Sequence, residues 1–100
     1  MILITAKAMV FEKNRAAYLK LCMEQVENSK MEDGCLDYGF YEDAMEPGTF
    51  LFVEHWKDQA AIDFHFAQHY CLDFIRAVRK LSKAVSPIEI HHVSTSARPT

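Results

Sequence analysis

Two histidines, His65 and His69, stand four residues apart in FVEHWKDQAAIDFHFAQHY (residues 52–70), where an aromatic run ending at Trp56 leads into an apolar segment of helical spacing. Imidazole is the side chain whose ordinary pKa lies nearest neutrality, so a histidine held among apolar groups is placed to take up and return protons. The four-residue step keeps both rings on one helical face. Any chemistry of this chain is expected here. A bland reading stands beside it: His65 as a core histidine bonded to a carbonyl, and His69 as a solvent-facing residue or the cap of a bend.

The elements that must position these rings follow from the pattern. Ile2, Ile4, Ala6, Ala8 and Val10 alternate with Leu3, Thr5, Lys7, Met9 and Phe11, the period of a strand. Residues 13–32 change to helical spacing, with Ala16, Leu19, Met23 and Val26 as the inward stripe. Asp33-Gly34 is expected to end that helix, glycine supplying a left-handed cap. Residues 35–42 and 49–56 read as strands of an antiparallel hairpin joined through Pro47-Gly48. Asp58 can cap the next helix, which is expected to bend near Gln68-His69. A further helical stretch covers residues 72–84, with Lys80 and Lys83 near its C-terminal end, and Pro87 then opens a last strand over residues 88–93. Residues 95–100 read as a polar tail after a domain of residues 1–94.

The order β-α-β-β-α-β describes an α+β, ferredoxin-like domain: a four-stranded antiparallel sheet with helices on one face. On the third strand Phe50, Phe52, Glu54 and Trp56 face one way and Leu51, Val53 and His55 the other, so both sheet faces carry apolar groups. Helices cover only one, and a homodimer closed through the second face is expected. Glu54, flanked by Phe52 and Trp56, reads as a structural bond across that dimer.

Composition excludes several classes. One hundred residues, half of them hydrophobic, make one domain. Eleven Lys and Arg against fourteen Asp and Glu, interspersed, leave no basic block for a nucleic acid. Cys22, Cys35 and Cys71 form an odd set without a CxxC pair, each among apolar residues, so a reduced, cytoplasmic protein is expected. The apolar N-terminal stretch lacks the basic region of a signal peptide, and no run approaches the roughly 20 residues of a membrane span. His91 and His92 are adjacent and point to opposite faces of a strand. A zinc site would need His65, His69 and His92 to converge with Glu54, and no metal is expected.

In combination these segments resemble the antibiotic biosynthesis monooxygenase (ABM) family, small dimeric ferredoxin-like proteins that include quinol monooxygenases. Asp33-Gly34-Cys35-Leu36-Asp37-Tyr38 is similar to the family's GC-x-x-Y opening of the second strand, and Glu46-Pro47-Gly48-Thr49-Phe50 to its hairpin. Glu54-His55-Trp56 is similar to its E-x-W, and His65 with His69-Tyr70 to its paired histidines, although the family more often spaces them by five.

The resemblance implies an oxygenase without metal or prosthetic group, in which the protein deprotonates a polycyclic phenol or quinol and the electron-rich anion reacts with O2 directly. Such a protein supplies a dry apolar pocket, a base, and donors that stabilise the anion. Carried onto this chain, His65 is the base with His69 as its companion; Trp56, Phe50, Phe52, Phe64, Phe66 and Phe74 are walls; Tyr38, Tyr70 and His92 are hydrogen-bonding groups. Two alternatives stay open: an isomerase of a small, oxygenated or phosphorylated signalling metabolite, as in one branch of the family, and a non-catalytic, stress-response dimer that sequesters a hydrophobic ligand. The family's haem-degrading members carry a ring-contacting tryptophan where this chain has His65.

Overall fold

The alternation at the N-terminus becomes β1 (Ile2–Val10), the central strand of the sheet. The computed structural model describes residues 1–99. After a 3-10 turn at Glu12–Asn14 come α1 (Arg15–Lys30), β2 (Cys35–Glu42), β3 (Thr49–Trp56), α2 (Gln59–Ala67), α3 (His69–Leu81), β4 (Ser82–Val85) and β5 (Glu89–His92). Every pairing is antiparallel, in the order β2-β3-β1-β4, with β5 also on β1. This is an α+β, ferredoxin-like arrangement.

Register decides which side chains meet the helices. Ile2, Ile4, Ala8 and Val10 of β1 pair beside Trp56, Glu54, Phe50 and the hairpin of β3, and this row forms the core with Tyr18 and Cys22 of α1, Ile62 of α2 and Phe74 of α3. On the opposite face Leu3, Thr5, Met9, Val53 and His55 are half-buried, while Lys7, Leu51 and Tyr41 are exposed. The turn before β3 needs a left-handed residue at Gly48, whose φ is +89° and whose carbonyl accepts the Val10 N–H at 2.8 Å. Asp58 caps α2 as expected, accepting from the Ala61 N–H at 2.9 Å. Gln68, extended at ψ 136°, separates α2 from α3.

Four expectations need correction. The buried stripe of α1 is Tyr18, Cys22, Gln25 and Ser29, while Ala16 and Met23 are exposed. One polar member of this stripe is paired, the Gln25 amide donating to the Tyr38 hydroxyl at 3.3 Å, while the Ser29 hydroxyl is buried without a partner among the described residues. Gly34 does not hold a left-handed cap, since Gly48 is the one glycine with positive φ. The third helix ends at Leu81, so Lys83 and Ala84 lie in β4. The sheet has five strands instead of four, because residues 82–85, of which 82–84 are expected to end the helix, pair with β1 as β4, and Ser86-Pro87 separates them from the expected last strand. Proline has no N–H for the ladder. Ser86 there donates its N–H to the Lys7 carbonyl and accepts the Lys7 N–H on its hydroxyl, both at 2.8 Å. Residues 95–99 carry no regular element, and Thr100 of the expected tail lies outside the described residues.

Candidate functional site

His65 is the ring on which the buried polar groups converge. It sits on the inward face of α2, 1% exposed. The Trp56 ring packs against it at a centroid distance of 4.4 Å, and the Tyr38 ring at 5.8 Å. Its Nδ1 lies 2.8 Å from Glu32 Oε2, in the link after α1, and the Tyr70 hydroxyl donates to the same oxygen. A carboxylate accepts only, so Nδ1 carries the proton and Nε2 is left with its lone pair. That nitrogen faces the thiol of Cys71 at 3.4 Å and Glu54 Oε1 at 3.9 Å.

Beyond Nε2 opens a cavity of about 330 Å³, at the lower end of the volumes that hold small molecules. Its deep end is formed by Tyr38, Phe52, Glu54, His65, Cys71, Phe74 and Gln25, all buried. Ala6, Ala8, Phe66, Ile75 and Val78 continue the walls, and the exposed segment Val85–Ile88 with Arg79 lies at the mouth. The cavity is thus apolar, with one cluster of proton-carrying groups at its closed end.

Burial sets the charge states of that cluster. It raises the Glu54 carboxyl to about 7, against the Trp56 indole N–H that donates to Oε1 at 2.9 Å and favours the ionised form. Burial depresses the His65 imidazole, an effect opposed by the Glu32 carboxylate. The Tyr38 phenol is pushed up, chiefly by burial and then by Glu54. The Cys71 thiol rises to about 12 through burial and the neighbouring Glu54 charge. At neutral pH the cluster therefore holds a neutral imidazole, a protonated phenol and thiol, and a carboxyl that keeps its proton far more tightly than an ordinary glutamate. It can take a proton at Nε2 and return one from Glu54.

A glycine sets the approach of the two helices that bring Glu32 and His65 together. A Cβ on Gly34 would overlap the Ala61 methyl and come 3.2 Å from its Cα, so α2 lies directly on the turn that follows Glu32. The Glu32 carbonyl accepts from Cys35 N at 3.0 Å and the Gly34 carbonyl from Lys57 N at 2.9 Å, tying that turn to the sheet.

The residues singled out in the sequence divide. Tyr38, Phe52, His65 and Phe74 line the cavity. Trp56 and Tyr70 stand behind it, bonded to Glu54 and Glu32 respectively. His69 begins α3 exposed to solvent, because the break at Gln68 turns it away from the face that carries His65. Phe64 is 58% exposed, on the outer side of α2 beside Met31 and Asn28. His92 is exposed on β5. The structure thus does not bring His69, Phe64 or His92 into the site. Glu54, expected to bond across a dimer, bonds within its own chain and faces the cavity. Glu32 and Gln25 went unseen, although Tyr18, Cys22, Gln25, Ser29 and Glu32 are spaced by 4, 3, 4 and 3, a single helical stripe. Among the described residues no group of three or more His, Cys, Asp or Glu is placed to hold a metal ion, and no helix is long and apolar enough to cross a membrane.

Comparison with known proteins gives this geometry a context. Residues 1–77 match the family model described as antibiotic biosynthesis monooxygenase. An uncharacterized protein of Synechocystis sp. is 31% identical over 93% of the chain, which spans 63% of that relative's length. YcnE of Bacillus subtilis, named as a proposed monooxygenase, is 30% identical over 90% of the chain and 93% of its own. A crystal structure from Deinococcus radiodurans, described as a proposed antibiotic biosynthesis monooxygenase, superposes with a TM-score of 0.92 at 25% identity, over 100% of this chain and 99% of that one.

Proposed function

Since the chain belongs to the antibiotic biosynthesis monooxygenase family, we propose that it oxidises a quinol or comparable flat phenol with O2, using His65 as general base. The observation that carries this reading is the His65 Nε2 lone pair at the closed end of an apolar cavity, with Glu32 holding the opposite nitrogen at 2.8 Å. Nε2 removes the substrate's hydroxyl proton. The anion, raised in energy by the loss of water around it, passes an electron to O2, and the radical pair collapses to a peroxide. Cleavage of the O–O bond leaves one oxygen atom in the product and the other in water, which takes two substrate hydrogens. Glu32 fixes the tautomer and stabilises the imidazolium that forms. A homodimer covering the half-apolar second sheet face is part of this proposal.

Oxygen uptake with purified protein and a series of hydroquinones tests it. Uptake is expected to fall by roughly 10²–10⁴-fold in His65→Ala, the usual contribution of a positioned base. Equal uptake by both proteins overturns the proposal. The 3.9 Å separation of His65 Nε2 and Glu54 Oε1 favours one second reading, an isomerase that passes a proton between them. Turnover that continues under nitrogen decides for it.

A further inference from the structure

We infer that Cys71 is a covalent acceptor site for small apolar Michael acceptors, quinones and enones, that enter the cavity, with His65 as the base that takes the thiol proton. Three side chains line up in the order such a nucleophile requires. The Cys71 Sγ lies 3.4 Å from His65 Nε2, and His65 Nδ1 lies 2.8 Å from Glu32 Oε2. The thiol, the base and a carboxylate that orients the base come from α3, α2 and the turn after α1. Nothing in the proposed oxidation uses the sulfur.

The surroundings select the partner. Cys71 is 2% exposed at the protein surface yet lines the cavity, so a reagent reaches it only by filling an apolar space of about 330 Å³. Burial and the nearby Glu54 charge keep the thiol protonated, so sulfur attacks as its proton leaves for Nε2. In the addition, the S–H bond breaks and an S–C bond forms at the ring carbon β to a carbonyl. The C=C electron pair moves to the carbonyl oxygen, and His65 returns the proton there. With a quinone, the C–H proton at the new S–C carbon then passes to the second carbonyl oxygen and gives a thioether of the hydroquinone; with an enone, the enol proton returns to the α carbon and gives a β-thioether ketone. No oxidant or reductant is consumed in either case. Cys22 offers a contrast within the chain: it is equally buried, has no imidazole beside it and does not line the cavity.

The inference is independent of quinol oxidation, because the electrophile can be supplied directly. Wild-type protein is mixed with 1,4-naphthoquinone under nitrogen, and adducts at each cysteine are followed by intact mass and peptide mapping. Cys71 is expected to react at least tenfold faster than Cys22, and the rate at Cys71 to drop at least tenfold in His65→Gln. Should that variant not fold, wild type alone gives two readouts. Occupation of the cavity by naphthalene is expected to slow Cys71 severalfold. Between pH 8 and 9.5, above the titration of Glu54 and His65, the rate is expected to stay flat, whereas an unassisted thiol gains about tenfold per pH unit. Glu32, Glu54, Tyr38 and Tyr70 are the other titratable groups facing the pair. Modification of Cys71 no faster than Cys22, or with the tenfold-per-unit slope, overturns the inference. Failure of oxygen uptake with intact Cys71 addition would reject only the oxidation.

Discussion

The two faces of one sheet, built by alternate residues of the same strands, differ in what they hide. On β3, Phe50, Phe52, Glu54 and Trp56 lie under the helices at 6% exposure or less, while Leu51 between them is 36% exposed. Period-two alternation produces this contrast automatically wherever helices pack on one side. Its lesson lies in Glu54. A carboxyl in the buried row is tolerated because an indole N–H and a cavity adjoin it, so the covered face holds the polar cluster and the open face is the one the proposed dimer would cover.

The contrast is broken most strongly at Trp56. Trp56→Ala is expected to cost about 3–5 kcal/mol, through lost apolar area and an abandoned Glu54, read from urea unfolding. Next comes the carboxyl itself. Its folded pKa of about 7 exceeds that of the unfolded chain, so Glu54 binds protons more tightly when folded, and its contribution falls as pH rises from about 4.5 to 7. The span amounts to about 3 kcal/mol. Unfolding midpoints of wild type and Glu54→Gln should therefore separate with rising pH, the variant becoming the more stable above pH 7.

His65 works in the opposite sense. A depressed folded pKa means stability present above about 6.5 and lost as pH falls further, because the unfolded chain takes up the proton first. His65→Gln should flatten the acid side of the stability profile and leave the alkaline side in place. On the open face, Leu51→Ser should change the stability of the monomer by less than about 0.5 kcal/mol. The proposed dimer sharpens that last case: Leu51→Asp should move sedimentation at micromolar concentration from dimer to monomer, with unchanged circular dichroism.

What the sequence made legible follows the same division. The alternation of Ile2 to Val10, the Pro47-Gly48 turn and the Asp58 cap are local signals, and each element formed where they placed it. His65 was found because an imidazole among phenylalanines is conspicuous. Its partner Glu32 looks like any other surface acid at a helix end, and it is buried where α2 and Tyr70 of α3 meet the turn after α1. The buried stripe of α1 departs from its hydropathy because Leu19, Met23 and Val26 outweigh Gln25 and Ser29 on that measure, whereas packing turns inward the face whose Gln25 bonds the Tyr38 hydroxyl. β4 was hidden because Leu81 completes a helical spacing with Ile75 and Val78, and the strand starts at the very next residue.

The bare Cα of Gly34 carries a consequence for how such a site can drift. It works as a spacer gauge, with α2 pressed against the turn by the absence of a methyl group. Any other residue at this position is larger, so each replacement pushes the imidazole and its acid apart and none draws them closer. Variation there can only loosen the grip on the ring, from a residue that touches neither partner.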